Sequence, residues 1–197
     1  MGQSNVNLAA LIGSRICHDL ISPIGAINNG LELLGMSDGR AGPEIDLITE
    51  SVENASARIR FFRIAFGAAS DTPMGRSEVI TILRDVTKGR RLTVAYGPMD
   101  DQPRWAVRMV FLGIQCLESS MPYGGQIEAS CVSGQWTITG HASKTNIDPA
   151  LWSVLKGSEP DGLAPGHVQF ALLPAVADDV KRKVNCHLSQ DTLTICF

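Results

Sequence analysis

Ser14-Arg15-Ile16-Cys17-His18-Asp19-Leu20-Ile21-Ser22-Pro23-Ile24-Gly25-Ala26-Ile27-Asn28-Asn29-Gly30-Leu31-Glu32-Leu33-Leu34 reads as part of one long amphipathic helix with a histidine on its polar side. Ile16, Leu20, Ile24, Ile27, Leu31 and Leu34 recur every three or four residues, and this period predicts a helix from about Leu8 to Leu34. At about 100° per residue, His18 lies about 160° from Leu20, the centre of the apolar stripe, so its imidazole is expected in solvent. Arg15, three residues before it, and Ser22, four after it, share that face. Pro23 removes the amide that would bond the carbonyl of Asp19, at a usual cost of ~3 kcal/mol, and predicts a bend just beyond the histidine.

Working outward, the helix runs into Gly35-Met36-Ser37-Asp38-Gly39-Arg40-Ala41-Gly42-Pro43, a stretch rich in helix breakers. Pro43 suits the first position of a second helix, and Glu44 and Asp46 suit its positive end. Ile45, Ile48, Val52, Ala55, Ile59, Phe62 and Phe66 then alternate steps of three and four, a heptad seam reaching about Phe66. Two such helices joined by a short loop predict an antiparallel hairpin. Leu11, Leu33, Leu47 and Phe61 lie off the main stripes, and a second copy is expected to cover them in a homodimeric four-helix bundle.

Gly67 to Gly75, small residues with Pro73, reads as a linker dividing the chain into a hairpin domain (1–68) and a second domain (76–197). In the second domain, helices are expected over Glu78–Lys88 (ending at Gly89), Pro103–Met121 and Pro149–Leu155, and over Val168–Val180 with an interruption at Pro174. A strand is expected over Leu92–Tyr96, a hairpin over Gln126–Val132 and Gln135–Gly140 turning at Ser133-Gly134, and a closing hairpin over Val184–Leu188 and Thr192–Phe197. Interspersed helices and hairpins predict an α/β sandwich with helices on one face of a mixed sheet, and the whole chain is of the α+β class.

The 197 residues are 44% hydrophobic and 19% charged with a formal net charge of -3, a globular composition. No basic stripe suggests a nucleic-acid surface, and no apolar run approaches the ~20 residues of a membrane helix. Met1 to Asn7 lacks a basic-then-apolar signal, so a cytoplasmic location is expected. Five cysteines without a CxxC pair argue against a disulfide framework or a zinc ribbon, and no metal is expected. Neighbouring residues point in different directions, so Cys17-His18 and Cys186-His187 are not metal sites by themselves. His141, His167 and His187 are expected in structural or surface roles, and Trp105, Trp136 and Trp152 as packing anchors.

His18-Asp19-Leu20-Ile21-Ser22-Pro23 resembles the phosphoacceptor box of two-component signalling proteins, and the run from Ser14 to Leu34 resembles the ChpT-type histidine phosphotransferases of alphaproteobacterial phosphorelays. The resemblance implies that His18 carries a phosphoryl group. A neutral imidazole nitrogen is a good nucleophile near neutral pH, and phosphoryl transfer needs in-line approach and charge neutralisation more than covalent help. Asp19 would orient the imidazole or accept its proton, unless it is an ordinary solvated acid. Ser22 would donate a hydrogen bond to the phosphoryl group, unless it is a polar surface residue. Arg15 would neutralise phosphoryl charge or contact a partner, unless it is a plain surface charge, and the bend at Pro23 would shape the docking surface.

The run from Val110 to Ile127 resembles the asparagine-box helix of the ATP-binding domain of histidine kinases, with Pro122, Gly124 and Gly125 in the expected places. The magnesium-binding asparagines fall on Leu112 and Cys116, which offer no hard oxygen ligand. In place of an Asp-x-Gly-x-Gly turn the chain has Gly140-His141-Ala142-Ser143-Lys144, and the glycine-rich lid is reduced to Gly157, Gly162 and Gly166. The resemblance therefore implies a degenerate kinase-like domain and no cofactor of the chain's own, with magnesium on the partner. The implied partners are receiver domains of a hybrid histidine kinase and of response regulators. Phosphotransfer without ATP is the reading adopted. The alternative is a non-catalytic, degenerate kinase-like module that docks or sequesters a response regulator. The missing asparagines count against an active kinase.

Overall fold

The computed structural model describes residues 2–36, 42–68, 72–159 and 162–197, with only the backbone described for 2–6, 35 and 36. Helix α1 spans Gly2–Met36, beginning well before the expected Leu8. On its inner side Leu8, Ile12 and Ile16 continue the apolar period and pack on the core of the second half. The helix also continues through Pro23, whose ring is buried. Helix α2 spans Pro43–Ala65, with Pro43 in its first turn and Glu44 and Asp46 at its positive end. Of the breaker-rich segment between them, residues 37–41 lie outside the described residues, as do 69–71 of the expected linker.

The two helices form an antiparallel hairpin. Near one end, Gly30 of α1 sits so close to Ile48 and the carbonyl of Glu44 that a Cβ would force Ile48 aside. Nearer the other, Asp19 lies across from Arg58. The seam of α2 divides lengthwise. Ile48 and Ala55 are half-buried and Phe62 is buried, whereas Ile45, Val52 and Ile59 are exposed. Ile21, Ile24 and Leu31 of α1 are exposed as well.

This differs from the expected set of uncovered residues. Leu33 and Leu47 are exposed and Leu11 is half-buried, but Phe61 is only 3% exposed. Its ring stacks on Phe111 at 4.6 Å and 10°. The last turns of α2 do not stay with the hairpin. Phe61, Phe62, Ile64 and Ala65 enter the core of the α/β half.

That half contains α3 (Arg76–Thr87), β1 (Leu92–Tyr96), α4 (Arg104–Ser119), β2 (Gly125–Val132), β3 (Gln135–His141), α5 (Pro149–Val154), a 3-10 turn (Pro165–His167), α6 (Val168–Asp179), β4 (Asn185–Leu188) and β5 (Thr192–Cys196). The sheet order is β1-β2-β3-β5-β4. β1 and β2 are parallel, joined through α4, and the other pairs are antiparallel. Ser133 and Gly134, with φ of 51° and 78°, form the tight turn between β2 and β3 that matches strand twist. Period-two burial puts Ile127 and Ala129, Trp136 and Ile138, and Leu193 and Ile195 on the inner face. α4 covers that face so closely that Gly113 leaves no room for a Cβ against Ile138.

α6 is continuous, not interrupted. Pro174 forfeits one backbone bond to the carbonyl of Phe170, but Phe170, Leu172, Leu173, Val176 and Ala177 are buried on both sides of it and hold the helix. Among the described residues no helix is long and apolar enough to cross a membrane.

The position of Phe61 gives a stability test. Phe61→Ala should remove a stacked, fully enclosed ring and cost about 3–5 kcal/mol. Urea unfolding should show the loss at every protein concentration. A loss that disappears on raising the concentration would instead identify Phe61 as a subunit contact.

Candidate functional site

His18 stands on α1 with its side chain 83% exposed, as its angular position predicts. Its Nδ1 lies 3.1 Å from Oδ1 of Asp19. An ionised carboxylate only accepts, so Nδ1 carries the hydrogen and Nε2 is left as the ring's basic nitrogen. The helix thus presents an open imidazole whose Nδ1 side is taken by a carboxylate.

Asp19 is not an ordinary solvated acid: its side chain is 13% exposed. Oδ2 accepts a hydrogen bond from Nε of Arg15 at 2.8 Å and faces a terminal nitrogen of Arg58 at 3.8 Å. Arg15 shares the helix face of His18 but does not extend beside it. Its guanidinium turns to Asp19 and donates a further hydrogen bond to the carbonyl of Gly166 in the 3-10 turn. The physical reason is local: a half-buried carboxylate one turn away, and a backbone acceptor beyond it, satisfy a guanidinium fork better than water on an open face. Ser22 is exposed one turn after His18. Pro23 is buried, so its ring offers no surface to a partner and its influence is restricted to the backbone.

Arg58 was not legible as a site residue by motif. Its Nε donates to Oδ1 of Asn54 at 2.8 Å, one turn earlier on α2. Burial lowers its pKa from the usual arginine value, with Asp19 acting in the opposite direction. The only signal available in sequence was the hairpin itself, whose register sets Arg58 across from Asp19. Behind the pair, Arg15, Asp19, Arg58, Arg90, Gln115 and Glu118 line a cavity of about 40 Å³ between hairpin and α/β half. Arg90 and Glu118 form an ion pair there, and Oε1 of the buried Gln115 has no hydrogen-bond partner among the described residues.

Leu112 and Cys116 have no exposed surface, and burial pushes the Cys116 thiol well above its ordinary range. Of the substituted turn, His141, Ser143 and Lys144 are exposed and Ala142 is buried, with the Lys144 ammonium 5.4 Å from the Tyr123 ring centre. In the reduced lid, Gly157 and Gly162 have φ of 99° and 61°, while residues 160–161 lie outside the described residues. Among the described residues no three His, Cys, Asp or Glu gather as metal ligands. Trp136 and Trp152 are buried, the latter donating to Ser120 Oγ at 2.9 Å, and Trp105 is half-buried beneath Arg182.

Comparison with known proteins adds three findings. Residues 76–192 match the model of the histidine phosphotransferase C-terminal domain. The chain is 30% identical over 199 residues to the protein phosphotransferase ChpT of Brucella abortus (strain 2308), covering 96% of this chain and 94% of that protein. It is also similar to a solved structure described as a bacterial phosphotransferase, with a TM-score of 0.80 and 28% identity over 97% of this chain and 95% of the other.

The opposite burial of two near neighbours on α1 is testable. His18→Ala should change unfolding free energy by no more than about 0.5 kcal/mol. Arg15→Ala should cost about 1–3 kcal/mol, because it removes one partner from the Asp19 carboxylate and leaves the Gly166 carbonyl without its guanidinium donor. Denaturant melts of the two variants, followed by circular dichroism, check the contrast.

Proposed function

This chain belongs to the histidine phosphotransferase family, and from that premise we propose that it relays a phosphoryl group between receiver-domain aspartates through Nε2 of His18, without ATP. The observation that carries the reading is the His18–Asp19 pair: an open imidazole whose Nδ1 is occupied by a carboxylate. In the first step Nε2 attacks the phosphorus of a phosphoaspartate in line, the acyl oxygen–phosphorus bond breaks, and the partner's carboxylate departs. A second receiver's carboxylate then attacks the phosphohistidine and Nε2 recovers its electron pair. Magnesium, where needed to neutralise charge, is carried by the receiver domain. Ser22, exposed one turn on, donates to the phosphoryl group or to water beside it.

ATP independence draws support from Leu112 and Cys116, two apolar, fully enclosed side chains where oxygen ligands would be required. The name of the Brucella relative, a protein phosphotransferase, agrees with group transfer. In this reading residues 1–68 form the acceptor hairpin and residues 76–197 a degenerate kinase-like domain that braces it. The protein works in the cytoplasm, in keeping with its five free cysteines.

The working form is a homodimer. Ile21, Ile24 and Leu31 of α1 and Ile45, Val52 and Ile59 of α2 make an exposed apolar stripe that a second hairpin would bury as a four-helix bundle.

Incubation with a receiver domain carrying labelled phosphoaspartate should move label onto this chain in an acid-labile, alkali-stable form, and His18→Ala should take none. Label on His18→Ala at the wild-type rate would assign the chemistry to another residue, and no label on the wild type would favour a binding module. Calorimetry with ATP and magnesium should give no saturable heat. Light scattering should report twice the 21.1 kDa chain mass, and Val52→Glu should reduce it to one chain.

A further inference from the structure

We infer that Arg58 is a positioning residue for the proposed phosphotransfer: it acts on His18 through Asp19, holding the carboxylate so that Oδ1 stays on Nδ1 of the imidazole. The inference rests on the reading of His18 as the acceptor, but its direct readout does not require a phosphoryl donor.

The argument begins with the exposure of His18. An imidazole 83% in solvent has little packing to fix its ring, and Asp19 is the polar partner it meets. Asp19 follows it directly, so the carboxylate must turn back around the helix to reach Nδ1. A carboxylate free to rotate would exchange that contact for water. Here it is not free, because Oδ2 is held from the opposite side. Arg15 takes it from the same helix at 2.8 Å, and Arg58 faces it from α2 at 3.8 Å.

Arg58 differs from Arg15 in how it is held. Asn54, one turn before it on α2, accepts from Nε, leaving the terminal nitrogens to project toward α1. Its side chain is 26% exposed, so the attraction to Asp19 is only partly screened. Glu118 lines the same cavity but is paired with Arg90, which leaves Asp19 as the acid most available to Arg58. The guanidinium therefore links the second helix of the hairpin to the tautomer of a residue on the first. A lysine would not reproduce this, because a single ammonium cannot serve Asn54 and Asp19 in the same fork.

The test measures the imidazole and the transfer separately. Long-range ¹⁵N–¹H correlation spectra of the unphosphorylated full chain report how much of His18 is protonated at Nδ1. Arg58→Gln, which can still reach Asn54, should lower the ratio of Nδ1–H to Nε2–H forms about threefold or more, and slow uptake of label from a phosphorylated receiver domain by a similar factor. In the Asp19→Asn background the same substitution should change neither by more than about twofold, because its route to His18 is gone. An unchanged tautomer ratio in a folded Arg58→Gln chain overturns the inference, as does a full, additive loss of rate in the double variant. Should Arg58→Gln fail to fold by circular dichroism, Asn54→Ala, which frees the guanidinium without removing it, should shift the ratio in the same direction, and no shift there is likewise fatal. Failure of the wild type to take label would overturn the function proposed above while leaving the tautomer result standing.

Discussion

The burial of the last turns of α2 in the core of the α/β half is the constraint on which the rest of the structure depends. Phe61 stacks on Phe111 of α4, and Phe62, Ile64 and Ala65 continue into the same cluster. Arg108 of α4 closes the junction by donating to the carbonyl of Ala65, one of the acceptors a helix leaves unpaired at its C-terminal end. Leu8, Ile12 and Ile16 of α1 pack on this core from the other strand of the hairpin. A hairpin held at one end by both helices cannot pivot freely, so the residues just beyond the grip face fixed neighbours. Asp19 and Arg58 are those residues.

In the reading proposed above, an exposed imidazole is governed by a half-buried acid. His18 lies open to solvent, and Asp19 beside it is flanked by Arg15 and Arg58. The charges are few and close, so they matter more than the chain's net charge of -3. The bond from Arg15 to Gly166 extends the same network into the segment where a kinase-like lid would lie. Membership of the histidine phosphotransferase family gives this economy a rationale. The histidine phosphotransferase C-terminal domain, with positions 112 and 116 filled by enclosed apolar side chains, is the body against which α1 packs.

Much of the local structure was legible from period alone. The heptad steps of α2, the alternation of Trp136 and Ile138 on β3, and the Ser133-Gly134 turn all express backbone geometry that neighbouring residues decide among themselves. Pro174 is where a local proline rule fails: α6 runs through it, because a single lost backbone bond is outweighed by the burial of side chains on both sides of it. The same limitation explains Phe61: its angular position separates it from the hairpin seam, but no local rule says which body will cover it.

The sequence by itself determined the helical hairpin, the mixed α/β half and the exposure of His18, because periodicity fixes which face of an element is apolar before anything packs on it. Only the tertiary structure decided what surrounds Asp19. Arg58 comes from another helix and the carbonyl of Gly166 from a turn 151 residues beyond Arg15, and a backbone oxygen carries no signature in sequence. It also decided that Arg15 reaches inward to these groups. A guanidinium chooses among acceptors by distance and desolvation, and those distances exist only once the chain has folded.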